Sequence, residues 1–187
     1  GVMSRVSIEQ TIPLLHHQVS YTNFKVDYRK YIRLTQRANW AFHILSKVSK
    51  GSDRREFPLG GRRLFSISEE GSLRGYELGE FWGNYILLAN AELRIPLIDE
   101  IKFAMPVSIR NIRSVIFADL GSAWDKGERL TTRHNSTDEK KETDLKCSYG
   151  VGLRILLGFL PLRIDYAWNT DFVATSHNTN FSIGYDF

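Results

Sequence analysis

A single cysteine in 187 residues, Cys147, excludes an internal disulfide. It reads as an apolar-facing strand residue and not as a nucleophile or a metal ligand. The chain also lacks any apolar run of about 18 residues, so no transmembrane helix is expected. That absence leaves strand-built membrane proteins open. A barrel strand needs an apolar residue only at every second position, and a mean hydropathy of −0.27 hides such alternation. There is no block of charge of one sign either. The formal charge is +4 and the pI about 9.2, but 25 Lys and Arg are scattered among 21 Asp and Glu. No helix or compact patch collects them, so nucleic acid is not an expected partner. No solenoid period is visible. No signal peptide precedes Gly1-Val2-Met3, and the chain is expected to be a mature protein or, in preference, the downstream part of a longer one.

What is present is alternation. The chain is 42% apolar and 12% aromatic, enough for one sizeable domain and too little chain for two. Near the end, Phe181, Ile183, Tyr185 and Phe187 share one face of an expected strand, and Ser182, Gly184 and Asp186 the other. The pattern recurs upstream. Leu162, Ile164, Tyr166 and Trp168 oppose Arg163, Asp165 and Ala167, while Tyr149, Val151, Leu153, Ile155 and Leu157 oppose Ser148, Gly150, Gly152 and Arg154. Ala89, Ala91, Leu93 and Ile95 oppose Asn90, Glu92 and Arg94. Trp40, Phe42 and Ile44 oppose Asn39, Ala41 and His43, and Phe24, Val26, Tyr28 and Ile32 oppose Lys25, Asp27, Arg29 and Tyr31. Such faces suit a membrane barrel with a polar lumen. They suit a soluble β-sandwich or a lipocalin-like binder equally well, so alternation alone does not choose.

Connection lengths choose more firmly. Tight turns are expected after Leu34 (Thr-Gln-Arg) and after Leu157 (Gly-Phe-Leu-Pro). Long polar segments run from Lys50 to Gly83 and from Asp125 to Asp144, with a shorter one from Asn169 to Asn178. An intermediate connection, Ile98 to Ile109, carries Met105-Pro106 on the short-turn side. Short turns at one end and long loops at the other are the pattern of an outer-membrane barrel, with about eight strands from near Val6 to Phe187. The long loops are then extracellular and the C-terminus periplasmic. Trp40, Trp82, Trp124 and Trp168 fall near expected strand ends, which suits an interfacial aromatic girdle, though core aromatics would be placed much the same way. The mixed-sign run Asp138-Glu139-Lys140-Lys141-Glu142 reads as a solvated loop tip.

An ordered set of motifs carries a resemblance. Gly60-Gly61 is followed by Leu73-Arg74-Gly75-Tyr76 inside the longest loop. Asn90-Ala91-Glu92-Leu93-Arg94-Ile95-Pro96 comes next, then Val115-Ile116-Phe117-Ala118-Asp119-Leu120-Gly121-Ser122-Ala123-Trp124. Gly150-Val151-Gly152-Leu153-Arg154 and the terminal Phe187 complete it. The set resembles the C-terminal half of a BamA/TamA-type barrel, the bacterial surface antigen family, over nearly the whole chain. The resemblance implies an all-β antiparallel transmembrane barrel. Residues 1–187 would form the C-terminal portion of one barrel domain, with the long loop 50–83 carrying the Arg-Gly-Tyr motif. It implies a site in which Arg74 anchors the loop inside the barrel on Glu92 and Asp119, with Gly75 and Tyr76 at its tip. It also implies that Phe181, Ile183, Tyr185 and Phe187 form the recognition signal of the C-terminal strand.

The residues agree with that implication on physical grounds. Glu92 and Asp119 both lie on the polar parity of their strands, and shielded carboxylates need a counter-charge. A planar guanidinium on a long loop can serve both. Family barrels have about sixteen strands, whereas about eight are legible here, and a barrel of about eight is filled by its own side chains. The chain is therefore half of a larger barrel, or a small barrel with its loop outside. The lumen set favours the first.

Function is expected to be non-enzymatic: a bacterial outer-membrane barrel of the protein assembly or translocation class. Its partners would be outer-membrane lipid, unfolded or secreted polypeptide clients and the outer-membrane assembly machinery. The alternative is a membrane anchor or pore for an attached upstream domain. A barrel protease or lipase would need a nucleophile with His and a carboxylate converging. His16, His17, His134 and His177 fall in expected loops without such a motif, and His43 reads as a satisfied lumen residue beside Asn39. The pair His16-His17 has no third ligand in view, so neither a metal nor another cofactor is expected.

Overall fold

A computed structural model describes residues 1–11, 19–62, 64, 72–102, 108–125, 145–170 and 175–184. The first three strands, β1 (Val2–Gln10), β2 (Tyr21–Arg33) and β3 (Asn39–Gly51), pair antiparallel in chain order. Two short strands follow, β4 (Phe57–Leu59) and β5 (Phe81–Gly83), which make a separate ribbon. Then come β6 (Tyr85–Lys102), β7 (Ser108–Trp124), β8 (Leu145–Leu157), β9 (Leu160–Thr170) and β10 (Thr175–Ile183). With the ribbon set aside, eight strands lie side by side in chain order, β1-β2-β3-β6-β7-β8-β9-β10. Among the described residues β1 and β10 do not pair, so the sheet is an open, antiparallel wall.

The two faces of this wall decide what alternation left open. On one face Val26, Ile44, Ile116, Val151 and Phe181 are each 45–50% exposed. On the other, Asp27, His43, Glu92, Asp119, Arg163 and Asp165 are almost fully buried. A water-soluble sandwich would bury the first set and expose the second. The reversed arrangement belongs to a barrel wall with lipid outside. The aromatic pairs Tyr85–Trp124 and Tyr149–Trp168 stack on that wall at 5.6 and 5.7 Å, and Trp40 stacks on Phe42 at 5.8 Å. Trp82 instead lies on β5 of the small ribbon.

Because the pairing is regular, the inward side chains line up in rows across strands. One row reads His43, Asn90, Asp119, Ser148, Asn169. The next, one pleat toward the short turns, reads Ala41, Glu92, Phe117, Gly150, Ala167. The inward face is not uniformly polar. Toward the long loops it carries Leu45, Ile86 and Leu88, which pack with Leu59, Leu73 and Tyr76 of the β3–β6 segment.

Several connections are shorter than their composition suggested. The segment from Ile98 to Ile109 is mostly strand. The β6–β7 ladder runs on through Glu100↔Arg110 to Lys102↔Ser108 after a bulge between Pro96 and Ile98. Proline cannot donate to the ladder, and a bulge absorbs that defect without ending the strand. The segment from Asn169 to Asn178 likewise pairs up to Thr170↔Thr175; Asn169, Thr170 and residues 175–178 are strand residues. The turn after Leu157 is only Gly158-Phe159, with Gly158 at φ 62° as a type II′ hairpin needs at its first central position. Met105-Pro106, His16, His17, His134, the run 138–142 and Tyr185–Phe187 lie outside the described residues.

Two substitutions test which face meets lipid. Val151→Arg, outward and central in β8, should destabilise the full-length protein by about 2–4 kcal/mol, whereas Leu145→Arg at the strand end should cost about 0–1 kcal/mol. Denaturant titration in lipid vesicles measures both. Equal costs would argue against a lipid-facing wall.

Candidate functional site

The longest connection between barrel strands does not stay outside the wall. Its ribbon, β4–β5, holds the two ends together, and Gly60-Gly61 turns the chain inward. The Gly60 carbonyl accepts from Leu73 N–H at 2.8 Å, and Gly61 N–H donates to the Glu77 carbonyl at 2.8 Å. A Cβ on Gly60, whose φ is 155°, would stand 2.1 Å from that Glu77 oxygen, so only glycine lets the two strands of the loop lie this close. The returning strand then presents Arg74 to the wall.

The Arg74 side chain is fully buried. Its Nε and Nη2 donate to the two oxygens of Asp119, each at 2.6 Å, and its Nη1 donates to Glu92 Oε1 at 2.6 Å. Its own backbone N–H reaches Asp119 Oδ2 at 3.2 Å. The guanidinium therefore grips one carboxylate with a fork and the other with a single bond, across neighbouring strands β6 and β7. The Phe117 ring lies under it, 3.6 Å from Cζ to the ring centroid. Arg94 completes the charge balance by donating to Glu92 Oε2 from Nε at 2.8 Å, with Nη2 at 2.7 Å.

Several neighbours tie this core to the wall and the loop. Asn90 donates to Asp119 Oδ1 at 2.8 Å and to the Ser72 carbonyl at 3.0 Å, so it ties wall, carboxylate and loop together. His43 contacts Asn90 Oδ1 through Nδ1 and Asp27 Oδ1 through Nε2, both at 3.1 Å. Both of its ring nitrogens thus face oxygen partners in the wall, with Asp27 in turn gripped by Arg29 at 2.9 Å. Gly75, at φ 89°, lies so close to β8 and β9 that an added Cβ would meet those of Ala167 and Asn169 at 3.2 Å. Asn169 donates to the Gly75 carbonyl at 2.8 Å. The Tyr76 hydroxyl lies 3.0 Å from the carbonyls of Cys147 and Thr170, which face each other across β8 and β9.

Further contacts were not anticipated from sequence. Arg62 enters the lumen with the loop and sits 3.3 Å from Asp165 while donating to Ser72 Oγ at 2.8 Å. Asp165 had the same inward parity as Glu92, and a shielded carboxylate there could have announced a second cation. Gly150 is the space beneath Phe117; a Cβ would come within 2.7 Å of the ring. Of the terminal-strand residues, Phe181 faces outward at 49% exposure and Ile183 is half-buried. The Ile183 N–H donates to the carbonyl of Leu64 at 2.7 Å, so the same loop also touches the edge of β10. Tyr185 and Phe187 lie outside the described residues.

The model of the Omp85 superfamily domain matches this sequence over residues 1–187. The chain belongs to the Omp85 superfamily. It is also similar to Outer envelope protein 80, chloroplastic, of Arabidopsis thaliana, 26% identical over 194 residues. That match covers 98% of this chain and 22% of the relative, so the chain spans about a fifth of that protein's length. As an Omp85 member the chain is outer-membrane β-barrel sequence, and its open sheet is barrel wall.

Removing one partner from this network leaves a buried charge uncompensated. Arg74→Ala should destabilise the full-length protein by about 3–5 kcal/mol, read as a fall in the temperature at which its folded band is lost in semi-native electrophoresis. Glu92→Gln should cost less, because Asp119 keeps the fork, and the double variant should cost clearly less than the sum. Additive losses would mean that the two residues are not coupled. Phe117→Leu, which keeps an apolar wall but removes the ring face, should cost about 1–2 kcal/mol in the same assay.

Proposed function

We propose that this chain is the closing half of an outer-membrane barrel of about sixteen strands that acts in polypeptide assembly or translocation, without enzymatic chemistry. The observation that carries the reading is the complete burial of Arg74 between Glu92 and Asp119, at the end of a loop that spans β6 to β9. A loop committed this far into the interior needs a lumen wider than eight strands enclose. In this reading Arg74 is a lock. It holds the loop across the wall, and Gly75 and Tyr76 seat the tip, so that the lumen has one defined shape when a client polypeptide meets it. The long loops lie outside the cell, the short turns and the C-terminus lie in the periplasm, and residues 1–187 are one domain. The partners are outer-membrane lipid, unfolded or secreted polypeptides and the outer-membrane assembly machinery. Similarity to an outer envelope protein supports the membrane placement.

Native outer membranes, heated and unheated, give the test. An antibody to the C-terminal strands should detect a heat-modifiable band much larger than 21.6 kDa. Cells carrying Arg74→Ala should accumulate fewer folded outer-membrane clients than cells carrying wild type at matched expression. A heat-modifiable band near 21.6 kDa would overturn the larger barrel. Unchanged client levels would overturn the lock.

A further inference from the structure

We infer that the loop has a second and separable anchor, Arg62, which sets Leu64 against the free edge of β10 in the place of a pairing strand. Among the described residues β10 pairs only with β9, so its other side is an edge. In an antiparallel ladder, successive residues bond alternately to one side and to the other. Gly184 N–H donates to the carbonyl of Pro161, a β9 residue, at 2.9 Å. The Ile183 N–H therefore points away from β9, and there it meets the Leu64 carbonyl at 2.7 Å. That carbonyl stands where the next strand of a barrel would offer its own. By the same alternation Thr179 and Phe181 turn their amides to this edge.

A loop carbonyl reaches a strand edge only if the loop is held across the wall, and Arg62 does this two residues earlier. Its side chain is buried, with Nη1 3.3 Å from Asp165 Oδ2 on β9. Asp165 is the direct partner of Asn180 on β10. Two residues of extended chain cover about 7 Å. Together with an arginine side chain, that spans from β9 past β10 at about 4.8 Å per strand. Arg62 Nε also donates to Ser72 Oγ at 2.8 Å, which ties this leg of the loop to the one that carries Arg74. Arg62 is thus a positioning residue that acts through Leu64.

The two anchors differ in how readily they let go. Arg74 makes three side-chain bonds of 2.6 Å, and its departure takes the fork from Asp119. Arg62 meets Asp165 in a longer contact, and Asp165 keeps Arg154 at 2.8 Å when Arg62 leaves. No bare carboxylate remains behind, so this anchor releases first and Arg74 stays docked. With Arg62 seated, a strand beside β10 pairs with it up to Phe181, and the Ile183 amide belongs to the loop. With Arg62 released, that amide passes to the strand. The inference rests on the larger barrel proposed above only for the presence of that strand; the contact of Leu64 with Ile183 does not depend on it.

The full-length protein in detergent micelles gives the test. Leu64→Cys and Ile183→Cys are combined with Cys147→Ala and treated with a short bifunctional thiol reagent. Peptides linked from 64 to 183, counted by mass spectrometry, should form readily. Adding Arg62→Ala should lower their yield by about tenfold, while the folded band is lost at a temperature nearer to wild type than to Arg74→Ala. Arg54→Ala, at an exposed arginine of the same connection, should leave the yield unchanged. Hydrogen exchange resolved to single amides is measured on the wild type, where Ile183 should exchange slowly. Undiminished linking in Arg62→Ala would overturn the anchor. If that variant does not fold, the wild type decides: absent linking or a fast Ile183 amide would overturn the contact itself. Failure of the larger barrel shows separately, as fast exchange at Thr179 and Phe181 with Ile183 still slow and the linking retained.

Discussion

A guanidinium cannot shed its proton inside a protein, so a fully buried Arg74 dictates most of what surrounds it. Two carboxylates must come to it, and they must come from adjacent strands because one carboxylate fills only one fork. Those carboxylates need donors for their remaining lone pairs, which Asn90, Arg94 and the Arg74 backbone N–H supply. Desolvating each ion costs several kcal/mol, and the mutual attraction does no more than roughly offset it. The net drive for docking comes from elsewhere. Leu59, Leu73 and Tyr76 are 4%, 0% and 6% exposed against Leu45, Ile86 and Leu88 of the wall, and each fully buried side chain of this size contributes about 1.5–3 kcal/mol. Burial holds the loop in; the charges determine where its tip comes to rest.

That division of labour explains the small residues. Apolar packing tolerates a sliding contact, but a forked ion pair does not. The backbone must therefore reach the wall at one height, and anything bulky in the path would hold it off. Gly75 on the loop, with Ala167 opposite, lets main chain approach main chain closely enough for Asn169 to bond the Gly75 carbonyl. Gly150 gives Phe117 the room to lie flat beneath the guanidinium. Gly152 does the same for a neighbouring pair, since a Cβ there would stand 2.2 Å from Asp165 Oδ1 and 2.8 Å from Arg154 Nη1. The glycines of β8 are spaces reserved for the side chains of β7 and β9.

Much of the wall was legible because a strand has a period of two and that period survives any tertiary context. The six runs of alternation each fall on one of the eight long strands. The faces were not legible from alternation alone, since a sandwich and a barrel share it; burial of Asp27 and Asp165 against exposure of Val151 separates them. Strand ends were misjudged where polarity was taken for a loop, as at Asn178, which faces the polar interior, and at His177, which lies on the outward face beside Tyr166. The contact of Arg74 with Glu92 and Asp119 follows from parity together with a resemblance. Phe117 and the inward leucines did not follow, because a polar lumen was assumed throughout. Arg62 was hidden for another reason: nothing local separates a loop arginine that enters a lumen from one that stays in water.

The edges of the wall carry the last constraint. Every residue of β1 is exposed, and β1 pairs only with β2 among the described strands. In hydrocarbon each unpaired N–H or C=O of such an edge costs several kcal/mol, so no open sheet spans a membrane alone. Joining β1 to β10 would satisfy the edges, but it would curl eight strands into a barrel whose interior its own side chains fill. The segment holding Leu59, Arg62, Leu73, Arg74 and Tyr76 already occupies that interior, and Leu64 already bonds the amide of Ile183 on β10. The larger barrel proposed above, with further strands between β1 and β10, would meet both demands together. The buried arginine and the bare edge are thus separate observations, one electrostatic and one of backbone hydrogen bonding, that both support a barrel larger than this wall.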